Sequence, residues 1–268
     1  MSDPDPIIPP TKSDSARMRA ISRRSFVWAG VAVAAAYGGY RFVDGQPQSA
    51  DIGRPFRKAL QFNEKVWEAL YGKDRPVPTY APTEISEERE NGDEGLGEDF
   101  DPTDWKLKVE GVYGHKKPVE LTFEEIKAMP ATTMTTEFFC IEGWSLIQTW
   151  KGVLMRDFMK RFPPSTLSGE APDIEQRTAD LVPYVGMETP DRGYYVGLDM
   201  PSAVHVQTML CYEMNGKPLT ADHGAPLRLV IPVKYGVKNI KRIGVIRFTK
   251  IRPEDYWAEQ GYDWFAGL

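Results

Sequence analysis

Between residues 105 and 110, apolar and charged positions alternate: Trp105, Leu107 and Val109 against Lys106, Lys108 and Glu110. That period of two predicts a half-buried strand, ended by Gly111. Thr122 with Glu125 spells a capping box, so a short helix should start there and stop at Pro130. A β-prone run from about Thr132 to Phe139 follows, rich in threonine and phenylalanine. Val153, Leu154, Phe158 and Met159 have helical spacing, and Pro163-Pro164 would close that helix. Residues 164–181 read as a loop. Tyr184–Glu188 reads as a strand, Pro201 to about Gln207 as a short helix, and Met209–Tyr212 as a strand before an Asn215-Gly216 hairpin turn. A Gly/Pro loop from Asp222 runs into an apolar strand at Arg228–Pro232, and Ile243–Phe248 is a last strand. Upstream, Phe56, Leu60, Asn63 and Trp67 fall near one helical face. Strands and short helices mix without regular βαβ alternation, which predicts an α+β fold.

The first 50 residues do not share these patterns. Residues 1–16 are rich in proline, serine and aspartate and read as a disordered leader. Ser22-Arg23-Arg24-Ser25-Phe26 then opens an apolar stretch to about Tyr40. A twin arginine before such a stretch looks like a twin-arginine export signal, engaged by the twin-arginine translocon. The stretch is shorter than the roughly 20 apolar residues of a membrane span. The expected address is therefore periplasmic, with an anchor only if the signal is left uncleaved. Export of folded cargo implies something inserted before export, such as a cofactor. The chain divides as 1–50 leader and signal, and 51–268 a single body.

Composition narrows the function classes. The 268 residues carry a net charge of -5, with no basic cluster in the body, which argues against nucleic acid as a partner. Neither a c-type haem motif nor a glycine-rich dinucleotide or nucleotide fingerprint is present. Nine acids between Glu84 and Asp101 face one base, Arg89. Such a run is ordinarily a solvated, mobile segment, or else a docking patch for a basic partner.

The chemistry concentrates in three places. Cys140 sits directly after the β-prone run and before Gly143-Trp144-Ser145, at a strand end facing a cleft. A thiolate there suits a nucleophile or a soft-metal ligand, and a small buried hydrophobe is the plain alternative. Cys211, in Met-Leu-Cys-Tyr, reads as core, and no bridge to Cys140 is expected. His223 and Arg228 on the loop-to-strand segment, and Lys238 and Lys241 around Asn239, are groups suited to an anion such as phosphate.

From about residue 51 to 268 the chain resembles the molybdopterin-binding domain of the sulfite oxidase family. It is most similar to the branch of bacterial periplasmic methionine sulfoxide reductase catalytic subunits. The resemblance is carried by Phe139-Cys140-Ile141-Glu142-Gly143-Trp144-Ser145, by Tyr212 to Leu219, by His223-Gly224-Ala225-Pro226-Leu227-Arg228 and by Lys234 to Lys241. It implies mixed β-sheets with short surrounding helices, Mo-molybdopterin as cofactor, and Cys140 as a ligand of molybdenum. It further implies that Asn63, Val66, Trp67, Thr189, His223, Arg228, Asn239, Ile240 and Lys241 contact the cofactor. The activity implied is oxygen-atom transfer with a small-molecule substrate, such as sulfoxide reduction. After Cys140 the chain reads Ile-Glu-Gly-Trp and lacks the arginine of sulfite oxidases, which weighs against sulfite. A sulfite-oxidising or other small-substrate molybdoenzyme, a cofactor-free thiol enzyme and a non-catalytic binding module are the alternatives. Without a haem or flavin motif, electrons would pass through a separate protein, a membrane cytochrome b or a cytochrome c.

Overall fold

The computed structural model describes residues 12–45, 48–49, 52–53, 58–59, 62–63, 65–66, 75–97 and 100–268. Its contacts divide the chain into two units, Met1–Lys58 and Ala59–Leu268. In the first, α1 (Lys12–Asp44) is one helix of 33 residues. Residues 12–16 therefore belong to a helix and not to an irregular leader; between Pro10 and Pro47 there is no proline to interrupt it. From Arg24 to Phe42 its side chains are exposed. Among the described residues no helix is long and apolar enough to cross a membrane. A two-residue antiparallel pair, β1 (Gln48–Ser49) and β2 (Ile52–Gly53), follows.

The second unit is built on two five-stranded sheets. One holds β5 (Thr132–Phe139), β6 (Ser145–Leu154), β9 (Met209–Met214), β10 (Lys217–Pro218) and β11 (Arg228–Val230), all antiparallel. Its order is β10-β9-β6-β5, with β11 also on β9. The other has the order β4-β3-β12-β7-β8, from β3 (Lys106–Glu110), β4 (Val119–Thr122), β7 (Tyr184–Glu188), β8 (Tyr195–Asp199) and β12 (Val245–Thr249). Only β3 and β12 run parallel. Mixed sheets with short helices between them are the α+β arrangement the sequence predicts.

One apolar core draws on both sheets. Leu107 and Val109 from β3, Val185 and Met187 from β7, and Ile246 from β12 pack with Val153, Leu210 and Leu229 of the other sheet. Each such side chain contributes about 1.5–3 kcal/mol on burial. The alternation of β9 sends Met209 and Cys211 to the opposite face, where they join Trp150, Met214, Leu219 and Val230 in a smaller cluster. Cys211 is thus a core residue, as its neighbours in sequence suggest.

The helices are short. α2 (Phe123–Lys127) starts at the Thr122–Glu125 capping box, with both reciprocal hydrogen bonds formed. The next helix, α3 (Met155–Arg161), begins later than its apolar spacing implies. Val153 and Leu154 are strand residues paired with Leu210 and Met209. A half-buried strand supplied partners for them that a helix count along the sequence does not see. β4, β6 and β8 were not evident in the hydrophobic pattern for the same reason. α4 (Met200–Ala203) and α5 (Tyr256–Glu259) are single turns capped by Asp199 and Asp255.

β6 meets β9 closely at an irregularity between Lys151 and Gly152. A Cβ at Gly152 would lie 2.0 Å from the Leu210 carbonyl oxygen and 2.7 Å from Cys211 Cα. Only glycine permits that approach. Gly152→Ala should therefore lower stability by at least about 2 kcal/mol, as overpacking against backbone does. Chemical denaturation of the purified protein measures it, and an unchanged midpoint would contradict the register.

Candidate functional site

Eight residues of β5 pair with β6, from Thr132 opposite Gly152 to Phe139 opposite Ser145. Cys140 is the next residue. Its N–H donates to the Trp144 carbonyl at 2.9 Å, and the Gly143 N–H donates to the Cys140 carbonyl at 3.1 Å. The strand end and this tight turn fix the cysteine backbone at the edge of a cavity of about 370 Å³. Cys140 is 4% exposed. Its Sγ accepts a hydrogen bond from Asn91 Nδ2 at 3.2 Å and lies 3.8 Å from Glu142 Oε2. Burial pushes the thiol pKa up; the Glu142 charge adds to this, while the Glu142 N–H and the Asn91 amide oppose it.

Facing residues come from β11 and the loops on either side of it. Arg228 is 4% exposed. Its register partner across β9 is Cys211. The guanidinium lies 4.9 Å from the Trp150 ring centroid and donates to the carbonyls of His223 at 3.1 Å and Asn239 at 3.4 Å. Its Nε has no acceptor, and no carboxylate lies within 4 Å of it among the described residues. Burial lowers its pKa to about 10, still charged at neutral pH. His223 shares a 2.8 Å hydrogen bond between its Nδ1 and Thr220 Oγ1. Burial, then Arg228 and Lys241, lower its pKa, which keeps the imidazole neutral. Lys241 donates to the carbonyls of Asn91 at 2.7 Å and Gly92 at 2.8 Å. Burial, then Arg228, lower its pKa to about 8. The His223 loop can approach Lys241 because Gly224 has no side chain; a Cβ there would sit 2.6 Å from Lys241 Cβ.

The remaining cation behaves differently from its sequence reading. Lys238 does not face the anion site. It is 1% exposed and pairs with Asp255, and it donates to the Gly197 carbonyl at 3.0 Å. Asn239 lines the cavity, but its side chain is committed locally: Oδ1 accepts from the Ile231 N–H at 2.8 Å and Nδ2 donates to the Tyr235 carbonyl at 3.2 Å. Ile240 is fully buried in the core, and its carbonyl accepts from the Leu229 N–H at 2.9 Å. Thr189 is 1% exposed and organises a turn. Its Oγ1 donates to Asp191 at 2.6 Å and accepts from the Tyr194 N–H at 3.1 Å. That turn presents Tyr194 to the cavity. Asn63 and Val66 are helical and exposed and do not line it; Trp67 lies outside the described residues.

Several lining residues carry no local signal in the sequence. Asn91, Gly92, Glu88 and Glu94 come from the acidic segment, which is tied down along the first sheet. Tyr80 N–H donates to the Thr135 carbonyl, Ser86 N–H to the Ile147 carbonyl, and Asn215 Nδ2 to Glu88. The segment is largely exposed, as a solvated run should be, and its hydrogen bonds to β6 and to Asn215 place it at the cavity. Trp144, Tyr194, Trp257 and Tyr262 form aromatic walls. The rings of Trp257 and Tyr262 lie 5.3 Å apart, and those of Phe138 and Trp144 lie 6.0 Å apart.

The residues Oxidoreductase molybdopterin binding domain describes as a family match this chain over residues 95–257. The chain belongs to this family. It is an oxidoreductase domain of the molybdopterin-binding, sulfite-oxidase type. It is 33% identical over 77% of its length to YedZ1 of Azospira oryzae, named for a protein-methionine-sulfoxide reductase, covering 74% of that protein. It is 36% identical over 58% of its length to the protein-methionine-sulfoxide reductase catalytic subunit MsrP of Xanthomonas campestris, covering 48% of that protein. With MsrP of Campylobacter jejuni it shares 33% identity over 65% of this chain and 59% of the other. The match thus spans about half the length of the Xanthomonas relative.

The donor set fits a molybdopterin carrying a metal. Among the described residues no group of three or more His, Cys, Asp or Glu is placed to hold a bare metal ion. A metal beside Cys140 would have to bring most of its own ligands, as one held on an organic cofactor does. The buried Arg228, with an unpartnered Nε and no carboxylate, fits an anionic phosphate. Arg228 and Lys241 would hold such a group, with His223 as a neutral donor or acceptor.

A charged Lys241 that is partly desolvated has a folded-state pKa below its unfolded value. Its cost to stability is present in full below about pH 8 and is relieved as pH rises from there to the ordinary lysine value. Cofactor-free wild type should therefore gain stability relative to Lys241→Met between pH 7 and pH 10, measured by denaturant unfolding at both values. A difference independent of pH would show that the ammonium is not desolvated.

Proposed function

We propose that the chain is an exported molybdenum oxidoreductase that transfers an oxygen atom from a sulfoxide, with Cys140 as the protein ligand of the metal. The observation that carries this is one cavity with a buried thiol on one side and a buried, carboxylate-free arginine on the other. When bound, Mo-molybdopterin would supply a metal centre able to exchange an oxygen atom and two electrons. The chain's own residues bind and orient. Cys140 offers one soft ligand from a rigid strand end; Arg228 and Lys241 neutralise the anionic end; Asn239 holds the loop after β11, and Thr189 holds the turn that carries Tyr194. Trp144, Trp257 and Tyr262 give an apolar wall for a small sulfoxide beside the thiol. The relatives named for protein-methionine-sulfoxide reductase support this substrate.

The twin arginine at Arg23-Arg24 supports export to the periplasm, since that route carries folded cargo. Electrons would come from a separate protein, a membrane cytochrome b or a cytochrome c. The acidic segment, fixed at the rim of the cavity, gives such a partner a charged surface close to the metal site.

Protein purified from a host that makes molybdopterin should contain stoichiometric molybdenum by elemental analysis. Dye-linked assays should show reduction of sulfoxides and little oxidation of sulfite. Cys140→Ser should lower the sulfoxide rate by more than about 100-fold, since even groups outside the ligand set commonly contribute 10–100-fold. Protein without molybdenum, or a Cys140→Ser variant with full activity, would refute the reading.

A further inference from the structure

The turn that fixes Cys140 also places a carboxylate beside it. Glu142 Oε2 accepts from Trp144 Nε1 at 2.8 Å and lies 3.8 Å from Cys140 Sγ. The two turn hydrogen bonds between Cys140, Gly143 and Trp144 order the backbone that carries this group. Among the described residues no Lys, Arg or His lies within 4 Å of the Glu142 carboxylate. Arg89, which also lines the cavity, is stacked 4.3 Å over the Trp144 ring. Glu88 and Glu94 line the same cavity. Of the other lining cations, Arg228 is buried and Lys241 is engaged with the carbonyls of Asn91 and Gly92. The Glu142 carboxylate is thus the charged group held against the Cys140 thiol.

We infer that Glu142 is a specificity-determining residue that admits uncharged substrates to the Cys140 side of the cavity and rejects anions. This rests on the oxygen-transfer reading for its substrate, but not for its physics. A carboxylate within a few ångströms of the reacting position repels any oxyanion or carboxylated substrate, and screening by water weakens this without removing it. It also gives the Ile-Glu-Gly-Trp sequence after Cys140 a consequence: its glutamate places a negative charge beside the thiol. The Trp144 indole keeps the carboxylate in place and contributes a flat apolar face beside it, suited to the organic part of a neutral sulfoxide.

Two measurements test it with Glu142→Gln, which keeps an oxygen for Trp144 and removes the charge. In the molybdenum-loaded enzyme, kcat/KM is compared for methyl phenyl sulfoxide and its anionic analogue 4-(methylsulfinyl)benzoate. Wild type should prefer the neutral substrate, and the variant should shift the ratio toward the anion on the order of five-fold. In full-length protein made without cofactor, Cys140 is modified with cationic trimethylammonioethyl and anionic sulfonatoethyl methanethiosulfonate. Each reagent forms the same mixed disulfide bond at Sγ and releases methanesulfinate, and the Cys140 peptide is quantified by mass spectrometry. Glu142→Gln should raise the anionic rate relative to the cationic one. Equal ratios in wild type and variant, in both measurements, would overturn the proposal. Failure to bind molybdenum would overturn the cofactor reading instead, and the reagent rates would still decide the role of Glu142.

Discussion

Strand register in one sheet holds the two halves of the site together. β5 pairs with β6 over eight residues and ends at Cys140. β6 pairs with β9 through Gly152 opposite Cys211, and β9 pairs with β11 through Cys211 opposite Arg228. The thiol and the guanidinium are thus connected by a ladder of backbone hydrogen bonds, not by flexible loops. A slip of one residue anywhere along it would turn Trp150, Cys211 and Arg228 to the wrong face. Gly152 is where the ladder is tightest.

Electrostatics then separates the cavity into two tasks. Arg228 keeps its charge in a buried position by stacking on Trp150 and donating to carbonyls, a compensation that leaves its Nε without an acceptor. The buried lysines are spent differently. Lys238 is neutralised by Asp255, and Lys234 donates to the Phe265 carbonyl at 2.8 Å with Asp199 3.6 Å away. These two cations secure the chain segment that brings Trp257 and Tyr262 to the wall. Buried charge in this domain therefore serves either the resident group or the architecture, and the exposed carboxylates are left at the entrance.

What the sequence made legible was mostly local. The Thr122–Glu125 box, the strand leading to Cys140 and the alternation in β3 follow from side chains a few residues apart, and the fold reproduces them. The grouping of Cys140, His223, Arg228 and Lys241 around one cavity was legible through family resemblance. Contacts that depend on distant partners were not. Lys238 reads as an anion-binding group until Asp255 is placed beside it. Asn239 reads as a ligand donor until Ile231 and Tyr235 take its amide. The acidic segment reads as mobile because its anchors, Thr135, Ile147 and Asn215, lie 50 or more residues on in sequence and only meet it through the sheet. Asn91 could not be singled out, since nothing in its neighbours distinguishes it from an ordinary polar position.

The tail wall has a consequence for the order of assembly. Cys140 and its sheet partners in β6 are synthesised well before Trp257 and Tyr262, the residues that close the aromatic side of the cavity. The latch that seats that side, Lys238 with Asp255, likewise joins a late strand connection to a later helix cap. The sheet that carries Cys140 and Arg228 is complete in sequence before the residues that close the aromatic side, so loosening the final segment would open that side of the cavity without removing either group from its strand.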